Sequence, residues 1–441
     1  MQTAFDFYPG KATLEDLLQA YKDCRQNKRN TANALAFEMH YENNLIRLRN
    51  EINSDAYQPG RNIAFIVKKP VWREIFAADF RDRVVHHWLI NKLNPLFEKM
   101  LIHDVYACRV NKGTHFGIQR LDRFIRQCSQ NHTQECYILK CDIQSFFMTI
   151  DKTILWKKLQ TFIEQKYYAD DKTLIMSIAQ KIIYLESTRD CYLKTSKMDW
   201  NILPKSKSLF YAKPFCGLPI GNLTSQIFAN FYMNAFDHFC KHDLKLRYYG
   251  RYVDDFFAVH QDKRYLESLI PVFRHFLKEK LRLIIHPKKI QLTHYKNGIQ
   301  FLGVIIKPNR VYIANRTKAN FYEAFEKHNA VALKRKPTKE DKVAFLSSVN
   351  SYLGIMRHYN TYNLCIVFLK KTLSGQWWRK IQWQNYVVSF LKTHLISQKG
   401  KCLLYKENKV PSLSVSQSVS QSVSQSVSQS KSMYRRNDGK I

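Results

Sequence analysis

Two adjacent carboxylates, Asp254 and Asp255, stand inside the apolar run Tyr252-Val253-Asp254-Asp255-Phe256-Phe257. Burying an unpaired ionised group is costly, so such a pair calls for a cation, a basic partner or an exposed turn. Taken alone, the pair also reads as Asp-Asp turn chemistry between two strands. A third acid changes the balance. Asp142 closes the short apolar run YILKCD (137–142), just before IQSFF. Strands far apart in sequence can meet in one sheet and bring Asp142 to Asp254. Carboxylates grouped in this way suit chemistry on paired divalent cations. In nucleotidyl transfer, such ions activate a 3′-hydroxyl and stabilise departing pyrophosphate.

The elements that must position these acids follow from periodicity and breakers. Residues 11–57 read as helical, ending at Pro59-Gly60. Two strands, 62–68 and 71–78, join near Pro70. A helix is expected over 80–100 with an interruption at Pro95, and another over 114–129. A strand at 137–143 leads into a helical stretch reaching about 187. Residues 190–215 are irregular and basic, and 223–242 form a strong helix candidate. Two strands with a tight turn fit 247–260, followed by a helix over 263–281. Strands then fit 281–286, 290–294 and 299–306, and helices return over 316–330 and 339–374. This succession predicts an α+β core with an antiparallel sheet.

Composition narrows the partners. Lys plus Arg number 70 against 36 Asp plus Glu, a formal charge of +34. That excess fits a polyanion, nucleic acid before an anionic membrane surface, because each basic group near a phosphate releases a counterion. The N-terminus lacks a secretion-signal pattern, and no long uncharged apolar stretch appears, so no membrane association is expected. Ten cysteines without a C-x-x-C pair read as reduced thiols of a cytoplasmic protein. Residues 414–429 are four copies of SVSQ, and 401–441 is expected to be a disordered Ser-rich, partly basic tail.

With the motifs taken in order, the sequence resembles a reverse transcriptase over about residues 60–375. REIFAADFRDRVVHH (73–87) and YACRVNKGTH (106–115) resemble fingers motifs, and KCDIQSFF (140–147) the first catalytic motif. GLPIGNLTSQIFANFY (217–232) resembles the motif that follows it, and RYVDDFF (251–257) the Tyr-x-Asp-Asp box. HPKK (286–289) resembles the next palm motif, and FLGVIIK (301–307) the primer grip. The resemblance implies a right-hand polymerase. Its parts would be a helical N-terminal extension (1–58), fingers (59–135) and a palm (136–308) whose antiparallel sheet is flanked by helices, with a fingers-like insert at about 160–212. A helical thumb (309–400) and the tail would complete it. It also implies two Mg²⁺ ions, replaceable by Mn²⁺, on Asp142, Asp254 and Asp255, with the backbone carbonyl of Ile143 completing the ligand set. Phe147, five residues after Asp142, matches the steric gate that excludes a 2′-hydroxyl; a core aromatic beside Phe146 is the plain reading. Arg73, assisted by Lys69, matches the grip on the incoming triphosphate, for which a guanidinium fork is suited; a solvated strand face is the alternative. Lys288 or Lys289 would protonate pyrophosphate or contact a phosphate backbone.

The segment LPIGNLTSQ narrows the resemblance further. Most reverse transcriptases carry Gln before the Gly and Ser-Pro at the end. Here Ile220 precedes Gly221, and Ser225 is followed by Gln226. That pattern resembles the enzymes of diversity-generating retroelements. Ile220, Gly221 and Gln226 would then line the nucleotide site, with Ile220 supplying bulk but no hydrogen-bond donor. The insert through LPKSKSLF (203–210) and the stretch FLSSVNSYLGIMRHYN (345–360) resemble the same subfamily. It implies copying of a template-repeat RNA into cDNA with adenine-directed errors, for mutagenic retrohoming into a target gene. The implied partners are RNA/DNA duplex, dNTPs and a basic pentameric accessory protein. Two alternatives stay open: a retron-like or phage-defence reverse transcriptase, and a non-catalytic RNA-binding protein on a polymerase fold.

Overall fold

The computed structural model describes residues 10–26, 31–68, 71–359, 361–369, 373–378, 381–384 and 386–390. The expected tail at 401–441 and Lys69 lie outside them. The chain divides into two compact units, one reaching Tyr295 and one beginning at Lys296.

The first unit opens with three helices, α1 (Leu14–Arg25), α2 (Ala32–Glu38) and α3 (Tyr41–Asn53). The strands β1 (Ile63–Val67) and β2 (Arg73–Ala77) pair antiparallel. Next come α4 (Phe80–Met100) and α5 (Thr114–Cys128), then β3 (Tyr137–Asp142), the short α6 (Phe146–Thr149), α7 (Lys152–Lys166) and α8 (Lys172–Tyr184). The basic stretch holds a two-residue strand β4 (Tyr192–Leu193) and α9 (Lys197–Ile202). α10 (Leu223–His238) precedes the hairpin β5 (Tyr248–Tyr252) and β6 (Asp255–His260), α11 (Lys263–Leu281) and β7 (Gln291–His294).

The central sheet runs in the order β5-β6-β3-β7, antiparallel throughout. Both of its faces are covered. Phe256 meets Phe236 of α10 and Phe273 of α11, while its neighbour Phe257 meets Tyr106 and Phe124 of α5. Successive side chains of a strand point to opposite faces, which is why β6 reads as an unbroken apolar run rather than an alternating one. A second sheet, β2-β1-β4, places β4 parallel to β1.

Three expectations are corrected here. α4 runs unbroken through Pro95. Proline forfeits the bond to the Asn91 carbonyl, but Leu93 and Phe97 on either side are fully buried and hold the helix together. Residues 281–286 are not a strand: Leu281 still belongs to α11, Arg282 turns left-handed at φ +51°, and only Ile285 bridges, to Ile143. The expected strand 299–306 is broken at Leu302-Gly303, both at positive φ.

The second unit begins with that break, between β8 (Ile299–Phe301) and β9 (Val304–Lys307), followed by β10 (Arg310–Ile313) in one antiparallel sheet. α12 (Asn315–Lys334), α13 (Lys339–Met356) and α14 (Tyr362–Val367) follow, so the single helix expected over 339–374 is divided near 357–361. Their core gathers Phe321, Phe325, Phe345, Leu353 and Trp377. A hairpin, β11 (Ile381–Gln384) and β12 (Val387–Phe390), stands where only helix was expected.

Candidate active site

The three acids meet at one end of the central sheet. Asp142 pairs directly with Asp255 in the β3–β6 register. Asp254 occupies the two-residue turn between β5 and β6, and its carbonyl accepts a 3.1 Å hydrogen bond from the Ile143 N–H. The Asp142 carbonyl in turn accepts from the His286 N–H at 2.8 Å, and Gln144 N–H donates to Ile284 O at 2.8 Å. Asp142, Ile143, Asp254 and Asp255 are thus stitched together by backbone.

The surrounding charges explain how the acids are held. Lys289 Nζ lies 2.8 Å from Asp142 Oδ1, and Lys140 Nζ lies 3.3 Å from Asp255 Oδ2. Lys140, Asp142 and Asp255 share one face of the sheet, since Lys140 stands two residues before Asp142 and Asp142 directly faces Asp255. Burial raises the Asp254 carboxyl to about 6, and the Asp142 charge adds to the rise, while Lys289 and Arg73 pull it down. Burial likewise raises Asp255 to about 7; Lys140 opposes this, and Asp254 and Asp142 reinforce it. Such raised values mark carboxylates crowded together in a partly desolvated cleft.

The donor chemistry fits a divalent cation. All the acidic donors are hard oxygens. Asp255 Oδ1 is buried without a hydrogen-bond partner, an orphan that a cation would satisfy. Among the described residues no three His, Cys, Asp or Glu side chains form a ready-made cage; lysines hold Asp142 and Asp255.

The turn carrying Asp254 has its own support. Val253 sits at φ +57°, a conformation that costs a β-branched residue on the order of 1–3 kcal/mol. Its carbonyl accepts a 2.9 Å bond from Arg251 Nη1. Arg251 is fully buried and bidentate to Asp237, Nε–Oδ1 2.8 Å and Nη2–Oδ2 2.6 Å, while Tyr249 Oη donates to the same Asp237 at 2.7 Å. Sequence reasoning took Arg251 only as part of the Tyr-x-Asp-Asp frame and passed over Asp237. The available signal was an acid on the apolar helix α10.

The other expected residues lie around this point. Arg73 is the exposed first residue of β2, near enough to Asp254 to lower its carboxyl. The Ile220 carbonyl accepts from Phe76 N–H at 2.8 Å, and Asn222 Oδ1 accepts from Ala78 N–H at 2.9 Å, so the 217–222 loop is sewn onto β2. Gly221 stands at φ +124°, and a Cβ there would lie 2.8 Å from Ile75 Cγ2 and 3.0 Å from Phe76 O. Only glycine meets both demands. Gln226 Oε1 accepts from the Cys108 thiol at 2.9 Å. Phe147 is half-buried against Phe146, and its carbonyl accepts from Leu218 N–H at 2.8 Å. Lys288 is exposed, and it is Lys289 whose ammonium meets Asp142.

Comparison with known proteins gives the following similarities. Protein YkfC of Escherichia coli (strain K12) is 22% identical over 294 residues, covering 58% of this chain and 69% of that protein. Among solved structures, telomerase from Candida albicans with the TWJ fragment of telomeric RNA is similar at 13% identity and a TM-score of 0.41, covering 77% of this chain. Apo telomerase from Candida tropicalis, truncated from its C-terminal domain, gives 13% and 0.41 over 58% of this chain. The chain spans 60% and 55% of those two telomerase chains. A family model described as reverse transcriptase (RNA-dependent DNA polymerase) matches residues 66–306, more than half of the sequence and all three aspartates. By that match the chain belongs to the reverse transcriptase family.

Proposed function

We propose that this reverse transcriptase transfers deoxynucleotides by two-metal chemistry at Asp142, Asp254 and Asp255. The observation that supports it most is the direct pairing of Asp142 with Asp255 beside the Asp254 turn. Family membership implies dependence on divalent metal, and Mg²⁺ is the ion that carboxylate and phosphate oxygens favour. When bound, such ions lower the pKa of the attacking hydroxyl and neutralise charge on the departing pyrophosphate. The chain supplies the rest. Asp142 and Asp254 are the principal ligands, with Asp255 beside them and the Ile143 carbonyl available. Lys289 and Lys140 offset the repulsion between the acids. Arg73 donates to the triphosphate, and the Phe147 ring selects against a 2′-hydroxyl. Fingers (59–135), palm (136–308) and thumb (309–400) are the proposed divisions.

The finer reading is a diversity-generating retroelement polymerase that copies a template-repeat RNA with adenine-directed errors, working with a basic pentameric accessory protein. It rests on Ile220 and on the Ser225-Gln226 pair. The test of the polymerase reading is incorporation of labelled deoxynucleotide on a primed RNA template with Mg²⁺. Asp254→Asn is expected to lower the rate by at least about 10³-fold, equivalent to roughly 4 kcal/mol of lost transition-state stabilisation, and chelation of the metal should abolish it. Wild type as inactive as Asp254→Ala, with RNA and accessory partner supplied, would favour a binding-only protein.

A further inference from the structure

The stretch 192–215 carries large apolar side chains where water reaches them. Tyr192 is 65% exposed, Tyr211 60%, Phe215 67% and Phe210 42%. Interleaved with them are Lys194, Lys197, Lys205, Lys207 and Lys213, all exposed, against one acid, Asp199, which is taken by Lys68 at 2.8 Å. The display is anchored. Glu74 of β2 is buried, and it accepts from Trp200 Nε1 at 2.7 Å, from Ser208 Oγ at 2.7 Å and from Leu209 N–H at 2.5 Å. Lys194 N–H donates to Ala64 O at 2.8 Å, and Lys152 N–H donates to Phe215 O at 2.8 Å. Lys205 Nζ lies 5.3 Å from the centre of the Tyr211 ring.

We propose that this stretch is a stacking platform for single-stranded RNA, next to β2 and outside the cluster of aspartates. Flat rings stack on unpaired bases of any sequence, and lysines between them follow the phosphates. Paired bases are already stacked on each other, so a duplex gains nothing from exposed rings. A rigid anchor matters because rings held in place lose little freedom on binding. The occupant is the unpaired part of an RNA, such as the template ahead of the copied duplex. This deepens the polymerase reading in naming a path for its template, but the binding itself requires no nucleotidyl transfer.

The test uses the full chain, wild type and in an Asp254→Ala background, and measures fluorescence anisotropy with a labelled single-stranded RNA and with a blunt RNA/DNA hybrid of the same sequence. Replacing Tyr192, Tyr211 and Phe215 together by Ala should weaken single-strand binding tenfold or more, since each stacked base is worth roughly tenfold. Hybrid affinity should stay within twofold of wild type. Replacing Lys205, Lys207 and Lys213 together by Gln should reduce the salt slope for the single strand by about two, near 0.7 per phosphate contact. The Asp254→Ala background should give the same results, which separates this inference from the fate of the catalytic reading. Single-strand affinity within twofold of wild type in the aromatic variant would overturn it and leave the surface to a protein partner. An equal fall on both ligands, with an unchanged melting temperature, would also overturn it.

Discussion

At the residue scale, the acids were legible because their type is expensive where it stands. Asp142 and Asp254-Asp255 interrupt apolar strands, and few structures tolerate that without a compensating charge. The compensating lysines were less legible: Lys140 stands on β3 and Lys289 in the short turn before β7, and only the folded sheet brings each to its acid. Ile220 shows the other limit. Its neighbours in sequence mark it as unusual, but its carbonyl bond to Phe76 depends on a hairpin far upstream. If Ile220 lines the nucleotide site as proposed, Ile220→Gln adds a donor beside the nascent pair, and a hydrogen bond there is worth about 1–3 kcal/mol of selectivity. Misincorporation opposite adenine is therefore expected to fall by about 5- to 150-fold, read by sequencing primer-extension products. An unaltered error spectrum would remove Ile220 from fidelity.

At the element scale, strongly patterned segments were read closely. α11 spans Lys263–Leu281, as its apolar spacing predicts, and the β5–β6 hairpin falls inside 247–260. Some elements of few residues were not: β10, β11 and β12 are each four residues long, too short for periodicity alone to separate from turns or helix ends. The hairpin also shows what periodicity cannot reveal. Arg251 reads as one more basic residue in a basic chain, yet it is wholly buried and tied to Asp237 of α10. Removing one member of a buried pair leaves the other charge unpaired, at about 3–5 kcal/mol. Arg251→Met should therefore lower stability by about that much in denaturant unfolding, and Arg251→Met with Asp237→Leu should recover a large part of it. A double variant no more stable than the single would mean that the pair is not what supports the turn.

At the scale of the whole molecule, net charge and core-forming content were evident from composition, and the division at Tyr295 and Lys296 was not. That boundary follows from which strands share a sheet, a pairing no local pattern encodes. No helix among the described residues is long and apolar enough to cross a membrane. Global stability has a titratable element. His86 of α4 is fully buried, and burial first, then the His87 and Arg83 charges, lower it to about 3. Its folded value lies below the ordinary one near 6.5, so the unfolded chain binds the extra proton between those values, and stability falls as pH drops through that window. The contribution at pH 5 is about 2 kcal/mol lost relative to pH 7. His86→Gln should flatten the acid limb by that amount, checked by urea midpoints at pH 7 and pH 5. An identical slope in the variant would assign the acid sensitivity to other groups.

The seam between the 217–222 loop and β2 has a mechanical consequence. Two hydrogen bonds and a glycine with no clearance join the loop to the strand that begins with Arg73. The part expected to judge the template base and the part expected to grasp the triphosphate therefore travel as one lever. On the proposed roles, a change that loosens copying at the first would also alter substrate affinity at the second, so that accuracy and nucleotide hunger would be tuned together.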